Sequence, residues 1–262
     1  MPNPMIWYSR ADTNPVIFYS RDAQRLPILK LQFEGANFQN NTIDSSHSAH
    51  TVTAQGDVWL DDTQSVQGNS CSFFNEDGGT GQGGGRNFWA IDASSDFDSV
   101  FMNGNWEMYT YAQFKENNDG FAHLFIWFQN AFSGVAFTYV NVGGNYGRLR
   151  FSYNQGITST TLESTEQWYP LFTDQVAFPD VPTFYKLAVT KNGNDFNFFV
   201  DDEQLGDTVS SSNPIPGMEN TFLGIGGSSN SGAGTPNQAF QGWMDEVTII
   251  TESALPLLVY SA

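Results

Sequence analysis

The feature that most constrains the fold is an alternation of apolar and polar side chains with a period of two. Residues 105–115, NWEMYTYAQFK, place Trp106, Met108 and Phe114 on one side, with polar or tyrosine side chains between them. This is the period of a strand that is buried on one face only. Similar segments recur as far as residue 202, and helical periodicity is almost absent. The middle of the chain is therefore predicted to be a run of long antiparallel strands.

Turn signals separate these segments. Asp119-Gly120 follows the first long strand, a Gly-Gly-Asn turn occupies 143–145, and Asn192-Gly193 lies between two alternating runs. Asp-Gly and Asn-Gly favour tight hairpins because both residue types tolerate positive φ. The segments on either side of Asp119-Gly120 are accordingly predicted to form a hairpin.

Shorter strand-like segments lie before residue 105, and two more follow residue 219. About a dozen strands in one continuous pattern predict a single all-β domain built as a two-sheet antiparallel sandwich. A chain of 262 residues can form such a domain. Residues 1–27 contain several prolines and are predicted to be an extended N-terminal arm, with the sandwich over 28–262.

The charge balance narrows the range of partners. The chain carries 28 acidic against 10 basic residues, a formal charge of -18. Such a surface repels phosphate backbones, so nucleic acid is not an expected partner. No apolar window is long enough for a membrane helix, so no membrane insertion is expected. The N-terminus does not resemble a secretory signal, so a location outside the cell would require another route of export or release.

Four segments together resemble laminin G-like domains of the concanavalin A-like lectin/glucanase superfamily. LQFEGANFQNNTIDSSHSAHTV resembles the opening of these domains, with Phe33-Glu34-Gly35 and Asp44-Ser45-Ser46. DSVFMNGNWEMYTYAQFK resembles their long strand, and YKLAVTKNGNDFNFFVDDEQLG resembles their hairpin, with Asp201-Asp202 where Asp-Gly is usual. GWMDEVTII matches the closing strand. The resemblance covers about residues 28–252 and implies a concanavalin A-like jelly roll.

The resemblance also implies a structural calcium ion. Members of this superfamily often join their first and last strands through Ca²⁺, which takes six to eight oxygen ligands. Glu34, Asp44 and Asp245 are the residues expected to converge on it. The alternative is that Glu34 and Glu246 are solvated edge charges and that Asp245 caps a backbone amide.

Catalysis is the less favoured use of these carboxylates. Glucanases of this superfamily carry their acids on one strand as Glu-x-Asp-x-x-Glu, and this sequence has no such triplet. A glycosidase needs two facing carboxyl groups. Asp245 and Glu246 are adjacent and are expected on opposite faces of their strand.

Aromatic side chains in polar loops suggest sugar binding. Tyr146 in GGNYGR, together with Asn145, offers a ring and hydrogen-bonding groups to a sugar. Trp168 and Tyr169 in EQWYPLF form a second aromatic loop. The alternative for each ring is a core or subunit contact.

The predicted function is a non-catalytic surface or adhesion module with a lectin-like fold. An acidic, disulfide-free sandwich with an apolar arm looks like a virion structural protein of the capsid-decoration or fibre type. The arm would then dock on other virion subunits, in a homo-oligomer or a larger assembly at the virion surface, and the exposed loops could meet glycans. A secreted-type, calcium-dependent carbohydrate-binding lectin is the alternative, and a glycoside hydrolase is the third choice.

Overall fold

The computed structural model describes residues 5–7, 16–18, 25–74, 87–115, 121–130, 133–144, 146–172, 184–227 and 240–252. Within these residues nearly all of the regular secondary structure is β-strand, and most of the rest is turn and loop. The strands are β1 (Met5–Trp7), β2 (Val16–Phe18), β3 (Arg25–Leu31), β4 (Val52–Gln55), β5 (Val58–Asp61), β6 (Cys71–Phe74), β7 (Phe88–Ile91), β8 (Trp106–Phe114), β9 (Phe121–Asn130), β10 (Ser133–Gly143), β11 (Tyr146–Gln155), β12 (Thr158–Glu163), β13 (Tyr185–Asn192), β14 (Asp195–Val200), β15 (Glu203–Gln204), β16 (Val209–Ser210), β17 (Leu223–Ile225) and β18 (Gly242–Glu252).

Two large antiparallel sheets form a sandwich. The seven-stranded sheet has the order β12-β11-β10-β9-β17-β7-β4. The nine-stranded sheet has the order β15-β14-β13-β8-β18-β6-β5, with β16 added beside β14 and β3 beside β18. Each sheet packs one of its faces against the other sheet. This arrangement explains why burial alternates along β8 and β11. The predicted all-β, two-sheet jelly-roll sandwich is confirmed.

Aromatic side chains fill the space between the sheets. The largest fully buried residues include Trp89, Trp106 and Trp127. Trp106 lies at the centre of one cluster, with Phe151 and Phe196 at ring-centroid distances of 5.1 and 6.1 Å. Rings of this size supply much of the apolar area that burial removes from water. The high aromatic content of the sequence therefore belongs mainly to the core.

The predicted hairpin around Asp119-Gly120 is wrong. β8 pairs with β13 and β18 in the nine-stranded sheet, whereas β9 pairs with β10 and β17 in the other sheet. The connection between them crosses from one sheet to the other, and residues 116–120 lie outside the described residues. The alternation identifies the buried face of each strand but not its neighbour, and both strands bury a face in the same core.

The segment before β8 contains a short helix that was not predicted from the sequence. Ser99–Asn103 is helical, and Asp98 caps it by accepting a hydrogen bond from the backbone N–H of Phe101. The helix buries Phe101 and Met102. With only five residues, it is too short to show a helical period in the sequence.

Two tight turns show how the predicted hairpins form. Asn192 pairs with Asp195, so Gly193 and Asn194 make the turn between β13 and β14. Val200 pairs with Glu203, and the intervening Asp201 and Asp202 both have positive φ, 52° and 66°. Positive φ at both central residues is the conformation of a type I′ hairpin turn. An Asp-Asp pair can therefore form the turn that Asp-Gly usually forms.

The predicted arm is described only in part. β1 and β2 pair with each other, and residues 1–4, 8–15 and 19–24 lie outside the described residues. β3 begins at Arg25, which pairs with Glu252 at the end of β18. The division at residue 27 stays a prediction. In the part of the chain that is described, no helix has the length and apolar character needed to cross a membrane.

Candidate functional site

Tyr146 and Tyr169 meet at one end of the seven-stranded sheet. After β12, the chain stays beside β11, because Trp168 exchanges two backbone hydrogen bonds with Gly147, at 2.8 and 3.0 Å. This pairing brings Tyr169 next to Tyr146, and their ring centroids are 5.4 Å apart in an edge-to-face arrangement. The two side chains remain 48% and 47% exposed, respectively. Two of the predicted ligand-binding residues therefore form one exposed aromatic pair.

Trp168, the neighbour of Tyr169 in the chain, packs towards the core. Its ring packs edge-to-face on Tyr139 at 5.4 Å and lies 6.5 Å from Tyr185. Gly147 allows the close approach, since a Cβ at that position would lie 2.0 Å from the Tyr139 ring. Trp168 is thus partly buried against the core. Asn145, the fourth predicted ligand-binding residue, lies outside the described residues.

The solvent face of β11 continues from the tyrosine pair across the sheet. Burial alternates along this strand, so Tyr146, Arg148, Arg150, Ser152 and Asn154 are more accessible than the residues between them. At its far end is a depression of about 150 Å³, whose lining includes Ala136, Ser152 and Asn154. We call this face, from Tyr146 to Asn154, the β11 strip.

Asp44 is buried, and its carboxylate accepts hydrogen bonds from β3 and from its own loop. It accepts hydrogen bonds from the backbone N–H groups of Lys30, Ser46 and His50, from the Ser46 hydroxyl, and it contacts His50 Nδ1 at 2.7 Å. Burial alone would raise the pKa of Asp44, but these hydrogen bonds outweigh it and lower the pKa to about 2.

Asp245 is also buried, and it holds a different loop. Its Oδ2 accepts the backbone N–H groups of Val66 and Gln67 at 2.9 and 3.1 Å, and its Oδ1 accepts that of Glu246 at 2.8 Å. Burial raises the pKa of Asp245 to about 6, although these amide hydrogen bonds act in the opposite direction. Glu34 accepts the N–H of Asn69 in the same loop.

The three predicted calcium ligands do not converge. Leu31 of β3 pairs with Val247 of β18 and also bridges to Asp44, so β3 lies between Asp44 and the strand that carries Asp245. The oxygens of Asp44 and Asp245 already face N–H groups, whose hydrogens occupy the positions a cation would need. Among the described residues no group of three or more His, Cys, Asp or Glu side chains could hold a metal ion. This arrangement does not fit a shared calcium site, and calcium binding itself remains an untested prediction.

The strand carrying Asp245 and Glu246 is irregular at this pair. Its pairing with β8 shifts between Asp245 and Thr248, and Glu246 has a φ of 51°. Both residues are buried, and Glu246 accepts a hydrogen bond from Gln32. A bulge of this kind lets adjacent side chains depart from simple alternation. The acid pair therefore stabilises the loop and the neighbouring strand.

The nine-stranded sheet carries an aromatic row that was not predicted from the sequence. Trp59, Phe73 and Trp243 are directly opposite one another on β5, β6 and β18. Their neighbouring ring centroids are 5.1 and 4.9 Å apart, and Trp243 donates a hydrogen bond to Asp61 at 2.7 Å. Phe38, 74% exposed, lies against Trp59. The row depends on the pairing of β5, β6 and β18, which the sequence pattern does not reveal.

Comparison with known proteins bears on the fold. No protein-family model matches the sequence, and a search of curated proteins found no match. Among solved structures, the binding domain of botulinum neurotoxin serotype D/C VPI 5993 is similar, with a TM-score of 0.59 and 13% identity. The match covers 88% of this chain and 49% of that one. The chain thus spans about half the length of that binding domain.

Two further structures share the sandwich. Domain 4 of AbnA, an extracellular GH43 arabinanase from Geobacillus stearothermophilus solved in complex with arabinotriose, has a TM-score of 0.51 and 13% identity, over 85% of this chain and 93% of that one. The enzymatically active domain of tailspike protein 2 of bacteriophage CBA120 has a TM-score of 0.50 and 12% identity, over 84% and 30%. At these identities the likeness establishes the fold alone.

Proposed function

We propose that the chain is a non-catalytic glycan-binding module whose binding site is built around Tyr146 and Tyr169. The observation that carries the proposal is the contact between these two half-exposed rings, which come from separate segments and are 5.4 Å apart. Aromatic faces stack against the apolar C–H faces of sugars, while tyrosine hydroxyls hydrogen-bond to sugar hydroxyls. The similarity to a whole domain solved with arabinotriose adds support.

The proposed module acts by binding, without cleaving its ligand. The carboxylates of Asp44 and Asp245 accept several hydrogen bonds from their own surroundings, so they are poorly placed to exchange protons with a substrate. Hydrolysis of a glycoside needs a carboxylic acid and a second carboxylate flanking the bond. A glycoside hydrolase therefore remains the third choice.

A glycan array combined with a hydrolysis assay tests this proposal. Tyr146→Ala and Tyr169→Ala should each lower the affinity for the bound glycan at least tenfold, because each removes a stacking surface. Tyr146→Phe, which keeps the ring, should retain most of it.

Tyr111→Ala provides the matched control. Tyr111 forms a comparable edge-to-face pair with Tyr109, at 6.5 Å, on the other sheet. Its loss should leave glycan binding unchanged. Absence of binding to every glycan, or release of new reducing ends, would overturn the proposal.

The finer part of the proposal is a place at a virion surface, with the N-terminal segment docked on other subunits. The aromatic residues of that segment and the fold shared with a phage tailspike domain support it. A free lectin, acting outside the cell and dependent on calcium, is the alternative. Deleting residues 1–24, which keeps β3 intact, separates the two. A free lectin should keep its glycan and its oligomeric state, whereas an assembly protein should lose its partner.

A further inference from the structure

The β11 strip carries positive charge in a strongly acidic chain. The formal charge of the whole sequence is -18, yet Arg148 and Arg150 lie on the same face of β11 with one carboxylate, Glu163, between them. The two positions after Tyr146 on this face are both arginines. The strip therefore leads directly from the tyrosine pair to a local excess of positive charge.

Arg150 is held by two neighbours. Its guanidinium forms an ion pair with Glu163, including a hydrogen bond from Nε at 2.6 Å. The same group lies over the Phe121 ring, 4.6 Å from its centroid. Ion pairing and a cation–π contact together fix the plane of a guanidinium. Arg150 thus holds Glu163 in place.

Arg148 has unused hydrogen-bonding capacity. Its Nη1 is 3.6 Å from Glu163, beyond hydrogen-bonding distance, and its Nε is buried without a hydrogen-bond partner. A guanidinium offers five N–H donors in a fixed plane, and a planar carboxylate can accept two of them in parallel. The Arg148 side chain is 31% exposed, so part of it is open to an incoming carboxylate.

We infer that the glycan bound at the tyrosine pair carries a carboxylate, and that Arg148 binds this carboxylate. This inference rests on the proposed function, since it names the class of sugar for the same site. Residues two apart on a strand are roughly 7 Å from each other, so one oligosaccharide can reach both Tyr146 and Arg148. At physiological ionic strength the charges elsewhere on the surface are screened beyond about 8 Å, which leaves the local contact dominant.

The test uses matched glycans and the full chain. The probes are oligosaccharides in which one hexose is replaced by its hexuronic acid, sialylated glycans with their asialo counterparts, and sulfated versions of the same neutral chains. Titration should show at least one carboxylated glycan binding tenfold or more tightly than its neutral counterpart. Arg148→Gln should abolish that preference, and Arg148→Lys should restore only part of it.

Lys186→Gln is the control for net charge. Lys186 pairs with Asp202 on the other sheet, so this change removes the same charge from the chain at a distant surface. It should leave the preference intact. Thermal melting checks that each variant is folded.

The outcomes separate this inference from the proposed function. Binding of neutral glycans alone, lost in Tyr146→Ala, would overturn the inference and keep the proposed function. A preference that survives Arg148→Gln would also overturn it. Equal binding of sulfated glycans would overturn the choice of carboxylate. Absence of binding to every probe would overturn both.

Discussion

The outer faces of both sheets carry packed aromatic side chains, but they differ in the polar groups beside those rings. On the nine-stranded sheet, Trp59, Phe73 and Trp243 pack on one another, and Trp243 also donates to Asp61. On the seven-stranded sheet, Tyr146 is half-exposed, and Arg148 keeps a donor without a partner. Side chains that have already satisfied their contacts gain little from a ligand. Unused contact capacity, rather than aromatic content, therefore marks the better candidate for a binding surface.

The largest effect is expected from Trp243→Ala. It removes the end of the aromatic row and leaves Asp61 without its indole donor, so we expect a loss of about 3 kcal/mol in the free energy of unfolding. Glycan binding by the folded variant should be unchanged. Urea denaturation and glycan titration of the same sample measure both quantities.

Tyr146→Ala is the mirror experiment to this one. Its stability should change by less than about 0.5 kcal/mol, as is usual for a surface side chain, while its binding falls. If Trp243→Ala lost binding and kept its stability, the roles assigned to the two faces would be reversed.

The second largest effect is a change of stability with pH caused by Asp245, which accepts the backbone N–H groups of residues 66 and 67. Its pKa is raised from 3.8 to about 6 in the folded state, so the folded protein binds a proton more readily than the unfolded chain between these values. Stability from this group should therefore fall by on the order of 2 to 3 kcal/mol as pH rises through that window.

Urea denaturation from about pH 3.5 to 7, which spans both pKa values, should show this slope for the wild type. In Asp245→Asn the slope should be smaller by that amount, because the asparagine does not titrate. Identical slopes for the two proteins would show that Asp245 is not the titrating group.

A smaller effect of opposite sign is expected from Asp44. Its pKa is lowered from 3.8 to about 2, so its contribution is complete above 3.8 and is lost as pH falls through 2. The loss amounts to about 2 kcal/mol. Acid unfolding of the wild type and of Asp44→Asn, followed by circular dichroism, measures the difference. The same acid midpoint in both would refute the assignment.

The smallest effect is expected from calcium. Because Asp44 and Asp245 already face N–H groups and lie on either side of β3, melting temperatures with added Ca²⁺ and with chelator should coincide. A rise with Ca²⁺ that disappears in Asp245→Asn would restore a calcium site on the nine-stranded sheet.

The sequence was sufficient for the strands and for the two-sheet arrangement, because alternation over residues 105–115 and 146–155 records burial directly. Tyr146 and Tyr169 were expected in polar loops, and both are about half-exposed, while their role in binding stays a prediction. Which strands pair with each other was harder to predict. β8 and β9 are neighbours in the chain, yet they belong to different sheets.

The features that were not predicted depend on contacts between distant segments, and a local sequence pattern does not reveal such contacts. Trp59 and Trp243 come from distant segments and share only a neighbour on β6. The bulge at Glu246 needs a positive φ that its residue type does not signal. The difference between Arg148 and Arg150 depends on the position of Glu163, which only the folded register of β11 and β12 decides.

The pairing of Arg25 with Glu252 has a mechanical consequence. Residue 25, where β3 begins, and residue 252, where β18 ends, are paired, so forces applied at these two positions act on the same end of the β3–β18 ladder. Pulling them apart would open the ladder one hydrogen bond at a time, from that end. Stretching single molecules from these two positions should therefore release this edge at low force, before the aromatic interior gives way.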